Sequence, residues 1–120
     1  PKGVVVEHRQ AVASVRARLQ HYGTVDGILL LPPLHVDAAL AAVFGTLAGG
    51  GRLLLPPPGA ELSPDGLAKM VAEHALRGWL SAPAQYEASL LADPAAMASI
   101  DTVILGGEGV GGALRALHQS

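Results

Sequence analysis

Apolar positions along this chain alternate between two kinds of segment. Short continuous runs at Val4–Val6, Ile28–Leu31, Arg52–Leu55, Gly78–Ser81 and Thr102–Leu105 read as strands. Between them lie stretches with helical spacing. Arg9–Tyr22 carries Val12, Val15 and Leu19 on one stripe, Arg16 and Arg18 on its polar sides, and Gly23 as a stop. Ser63-Pro64-Asp65 supplies a cap, a first-turn proline and a first-turn acid, and starts a helix through His74. Pro83 starts another helix to Ala92, Asp93-Pro94 turns the chain, and a last helix runs from Ala113. Pro56-Pro57-Pro58 cannot donate to a ladder and closes the strand before it. Strands apolar throughout and separated by helices imply a parallel sheet covered on both faces.

The expectation is therefore a single α/β unit over residues 1–120, three-layered, with a mostly parallel, flavodoxin-like sheet. One helix breaks the amphipathic rule. Ala38–Ala48 holds no charge and only Thr46 as a polar side chain, and Gly49-Gly50-Gly51 ends it. A helix apolar all round is expected to be buried on most sides. Asp37 stands at its mouth and admits two readings. It caps the helix by accepting first-turn N–H bonds, worth about 1 kcal/mol, or it receives the cationic amine of a ligand entering beside the helix.

Composition narrows the function classes. Half of the residues are apolar but only 3% are aromatic, so the core must be built from Ala, Val and Leu. A net charge of −2 with no basic patch argues against a nucleic-acid partner. There is no cysteine, hence no disulfide framework, thiolate zinc site or cysteine nucleophile. No run approaches the roughly 18 apolar residues of a membrane span, and no signal peptide opens the chain. The default expectation is a cytoplasmic module without membrane contact.

In open parallel sheets, ligands sit outside the carboxyl ends of the strands. That places Asp37, Leu80 and Gly106 on one rim. Gly107-Glu108-Gly109-Val110-Gly111-Gly112 fits G-x-G-x-x-G between a strand and a helix, a pattern that lets backbone approach a pyrophosphate. It follows the last strand rather than the first, and the acid expected about 20 residues on falls beyond the chain. The five histidines show no metal-ligand spacing; His21, His74 and His118 read as solvated helix-end residues, and His8 and His35 sit near turns. No serine sits in a G-x-S-x-G elbow.

Three motifs carry a family resemblance across the whole chain. Pro1-Lys2-Gly3-Val4-Val5-Val6-Glu7-His8 resembles the end of the signature of AMP-forming adenylating enzymes. His35-Val36-Asp37-Ala38-Ala39 is similar to the F-D-x-S motif of nonribosomal peptide synthetase adenylation domains, with Val36 for Phe and Ala39 for Ser. Ile104-Leu105-Gly106-Gly107-Glu108 resembles the later G-G-E segment that borders the adenine.

The resemblance implies roles residue by residue. Asp37 matches the aspartate that pairs with a substrate's α-amino group. Ala38, Ala41, Leu80, Ile104 and Gly106 fall where the family lines the side-chain pocket. Gly106, Gly107 and Glu108 would wall the adenine, and Lys2 belongs to the phosphate-loop signature. The pocket so drawn is roomy and uncharged beyond its acid, which suggests a bulky apolar or aromatic amino acid. The implied parent uses ATP and Mg to make an aminoacyl-AMP, then loads the 4'-phosphopantetheine thiol of a carrier protein. The Ser/Thr/Gly loop and the catalytic lysine of that family are not in these residues, so the isolated chain is expected to bind no cofactor and to be inactive. A degenerate interaction module and a nucleotide-binding flavodoxin-like domain are the competing readings.

Overall fold

A computed structural model describes residues 2–60 and 62–119, with side chains through Leu117. Pro1 of the Pro-Lys-Gly run and the side chain of His118 lie outside the described residues. The element order is α1 (His8–Tyr22), β1 (Ile28–Leu29), α2 (Asp37–Ala48), β2 (Leu53–Leu54), α3 (Pro64–Glu73), β3 (Gly78–Ser81), α4 (Pro83–Ala92), α5 (Pro94–Met97), β4 (Thr102–Leu105) and α6 (Gly112–Gln119). The four strands form one sheet in the order β2-β1-β3-β4, and every pairing is parallel. The α/β, three-layer expectation holds.

Strand alternation sorts the core into two halves. Leu29, Trp79 and Val103 face a cluster with Leu67 and Val71 of α3, Tyr86 of α4, Met97 of α5 and Leu114 of α6. Ile28, Leu80 and Ile104 face the other side, where Val25 and Ala42 are buried and Ala38 and Ala41 of α2 pack. The central strand β3 is buried at all four positions, so both helical layers rest on it. Its first residue must be glycine. A Cβ at Gly78 would lie 2.2 Å from Val25 Cγ1 and 2.7 Å from Ile28 Cγ1. At the amino ends of the strands, Arg52 pairs with Asp26 at 3.0 Å and Arg77 with Asp101 at 2.6 Å.

Helix starts follow local chemistry. Ser63 Oγ accepts the Gly66 N–H at 3.1 Å and opens α3, with Pro64 as its first residue. Asp93 accepts the Ala96 N–H at 3.0 Å, so the expected turn at Asp93-Pro94 is instead the cap of the one-turn helix α5.

Three further expectations need correction. Val4–Val6 forms no strand and is exposed, because no neighbouring strand among the described residues supplies the ladder bonds that define one. The runs Ile28–Leu31 and Arg52–Leu55 shorten to two residues each, since pairing stops where prolines follow. Helix α2 is not buried on most sides: only Ala39, Ala42 and Thr46 are buried, while Leu40, Phe44 and Leu47 are about half exposed. An outer-layer helix touches its sheet along one stripe, and composition cannot bury the opposite one.

Candidate functional site

Order β2-β1-β3-β4 creates a reversal between β1 and β3, where the helices leaving the two strands diverge to opposite faces. Crevices of this kind, outside the carboxyl ends of the strands, are where open α/β sheets hold ligands. A cleft of about 670 Å³ lies there. Leu31, Pro32 and Pro33 after β1 form one edge, Leu80, Ser81 and Ala82 from β3 the floor, and Leu105, Gly106 and Gly107 from β4 the far wall.

Buried packing positions this floor. The Trp79 ring, 1% exposed, stacks at a tilt on Tyr86 with centroids 5.7 Å apart. Its Nε1–H donates to Ser81 Oγ at 2.7 Å, and that hydroxyl donates to the Ala82 carbonyl at 2.8 Å. The turn from β3 into α4 is thereby tied to the core, and Leu80, between these two anchors, faces the opposite side. Burial raises the Tyr86 pKa above its ordinary value.

Helix α2 brings Asp37, Ala38 and Ala41 to the same cleft, and β4 brings Ile104 and Gly106. The six residues named from the sequence as substrate-binding therefore converge on one cavity, together with Gly107. Lys2 and Glu108 do not line it; Lys2 is exposed ahead of α1, and Glu108 is exposed in the loop after β4. That loop is open. A Cβ at Gly106, Gly107, Gly109 or Gly111 would meet nothing within 4 Å, and Gly107 has φ 96°. Backbone so uncovered can lie flat against a planar ligand.

Asp37 is not the helix cap. The N-cap is Val36, which has no side chain able to serve, and Asp37 is the first helical residue. Its carboxylate is exposed and makes no hydrogen bond or ion pair with the described residues. It is free to meet a cation from the cleft. The helix dipole favours its charge there.

Sequence reasoning missed one wall. Arg18 and Tyr22, one turn apart on α1, line the cleft, as does Gln85 of α4. The pocket is thus not free of charge beyond its acid, because the described structure puts a cation in it. The hydrophobic stripe of α1 assigned Arg18 to a polar side, and only the packing of α1 beside α2 turns that side toward a cavity. Beneath the cleft a smaller pocket of about 30 Å³ continues between Val25, Ile28, Ala41, Gly45, Thr46, Leu80 and Ile104, and shares Arg18 and Tyr22 with it.

The family model described as AMP-binding enzyme matches residues 1–119. The chain belongs to the AMP-binding enzyme family. More narrowly, it is part of an adenylation domain of nonribosomal peptide synthetase type, on the amino-terminal side of such a domain. It superposes on the crystal structure of the nonribosomal peptide synthetase FmoA3 with a TM-score of 0.90 and 30% identity, over 99% of this chain and 13% of that one. Further crystal structures of FmoA3 hold AMPPNP or alpha-methyl-L-serine-AMP. The chain is also 33% identical over 89 residues to the anguibactin system regulator of Vibrio anguillarum, covering 72% of this chain and 8% of that protein. With the phenyloxazoline synthase MbtB of Mycobacterium sp. it shares 32% identity over 118 residues, 92% of this chain and 10% of the relative. The chain thus spans about a tenth of the length of these three relatives. Among its described residues no helix is long and apolar enough to cross a membrane, and no three His, Asp or Glu side chains converge as metal ligands.

Proposed function

We propose that this chain forms the amino-acid-selecting wall of its adenylation domain. The observation that carries the reading is the convergence of Asp37, Ala38, Ala41, Leu80, Ile104 and Gly106 on one cleft at the sheet's reversal point. Asp37, unpartnered and exposed at the cleft edge, receives the substrate's ammonium through a charge-assisted hydrogen bond. Ala38 and Ala41 leave room for a bulky side chain, and Leu80 and Ile104 give it an apolar bed. The body of that side chain is accordingly apolar or aromatic.

Gly106, Gly107 and Glu108 border the adenine of ATP, whose flat face suits the uncovered glycine backbone of this loop. Lys2 belongs to the phosphate-binding segment. In the reaction proposed for the parent protein, the substrate carboxylate attacks the α-phosphorus of ATP, yielding aminoacyl-AMP and pyrophosphate. The aminoacyl group then passes to the 4'-phosphopantetheine thiol of a carrier protein. This chain contributes orientation: it fixes the amine and the side chain, and so aims the carboxylate.

The test is pyrophosphate–ATP exchange by the parent protein against a panel of amino acids and their desamino acids. Exchange that depends on an α-amino acid is the expected result. Equal exchange with the desamino acids would refute amine recognition at Asp37.

A further inference from the structure

Arg18 differs from every other arginine among the described residues. Arg9, Arg16, Arg52, Arg77 and Arg115 are exposed, whereas Arg18 is half-buried. Arg9, Arg52 and Arg77 are paired with acids, but Arg18 has no ion pair or hydrogen bond with the described residues. Asp37 lines the same cleft and does not pair with it. Covering a cation in this way is costly unless something else binds it.

The lining residues give the cavity a direction. Asp37, Gly106 and Gly107 belong to the outer cleft alone, whereas Arg18, Tyr22, Ala41, Leu80 and Ile104 line both the cleft and the inner pocket. On the reading that the cleft holds an amino acid with its ammonium at Asp37, the side chain extends toward Arg18. The inner pocket, at about 30 Å³, has the size of one small group rather than a ring. Apolar Val25, Ile28, Ala41 and Leu80 surround that group. A guanidinium only donates, so a tip that satisfies it must accept.

We propose that Arg18 is a specificity-determining residue that reads a hydrogen-bond-accepting oxygen at the far end of the substrate's side chain. This rests on the amino-acid reading of the cleft and refines it: the body of the side chain is apolar or aromatic, and its tip carries a carboxylate, carboxamide or hydroxyl oxygen. A hydrocarbon tip would cover Arg18 without compensation. Loss of a hydrogen bond to a charged partner corresponds to a discrimination of about ten- to hundredfold.

Matched pairs of amino acids test this in pyrophosphate–ATP exchange by the parent protein: tyrosine against phenylalanine, and glutamate and glutamine against norleucine. The oxygen-bearing member of at least one pair is expected to have the higher kcat/KM by about tenfold or more. Arg18→Met, which keeps the stem and removes the donors, should collapse that ratio. Arg18→Lys should retain part of it where the tip is charged. Preference for the hydrocarbon member in every pair would overturn the proposal, as would a ratio unchanged in Arg18→Met. A lack of amine-dependent exchange with any amino acid is a different failure, since it removes the amino-acid reading beneath the proposal.

Discussion

Removing the Asp37 carboxylate separates two roles by magnitude. In Asp37→Ala the fold loses little, because Val36 rather than Asp37 occupies the cap and the carboxylate bonds to nothing among the described residues. What remains is the interaction of an exposed charge with the helix dipole, about 0.3–1 kcal/mol. A bound ammonium loses far more. A hydrogen bond between charged partners contributes about 1.5–3 kcal/mol, and the loss rises toward 3–5 kcal/mol if the remaining charge is left buried without a partner. A bound substrate that fills the cleft and excludes water would move the case toward the larger figure. The expected drop in kcat/KM for an α-amino acid is therefore about a hundred- to a thousandfold, at 1.4 kcal/mol per factor of ten. The assay compares pyrophosphate–ATP exchange by wild type and variant on the amino acid and on its desamino acid, with thermal melting as the control for folding. Only the amino acid should suffer. If both substrates lose equally, or if the melting temperature falls by many degrees while the substrate ratio holds, Asp37 acts on the fold and does not meet the amine.

Three other outcomes check separate links. Gly78→Ala should destabilise by about 1–3 kcal/mol, read as a lower urea midpoint, because its Cβ would be driven onto Val25 and Ile28 at the centre of the sheet; an unchanged midpoint would contradict the packing described. Ala41→Trp should fill the cleft and its inner extension, moving substrate preference in the exchange assay toward smaller side chains. Asp26 is held below its ordinary pKa, chiefly by its hydrogen bond from Arg52. A depressed folded-state pKa means stability that is present above about pH 4 and lost as pH falls through the lower, folded value. Asp26→Asn should therefore flatten the acid limb of a stability–pH curve, and an acid limb identical to wild type would remove the pair from the account.

Much of the architecture was legible because strand and helix carry different hydrophobic periods. Gly78–Ser81, Pro83–Ala92 and Thr102–Leu105 appear at the expected bounds, and Ser63 caps α3 as its side-chain chemistry requires. These are local matters, decided by which groups a short stretch must bury or satisfy. Val4–Val6 failed on the same principle, since a strand exists only through a partner that its own residues do not encode.

The cleft divides in the same way. Its acid, small residues and glycines could be listed from the chain, because strand ends in a parallel sheet gather on one rim whatever lies between them. Arg18 could not. Its spacing on α1 marks a polar side, and polar sides usually meet water; only the packing of α1 against α2 turned that side toward the pocket lined by Ala41 and Leu80. The exposure of Leu40, Phe44 and Leu47 has the same cause, for composition states what a helix would bury, and only the neighbours present decide which stripe is covered. From the sequence alone came the order of the elements and the residues at the strand ends. The tertiary structure decided which helix faces meet, because that depends on contacts between segments far apart in the chain.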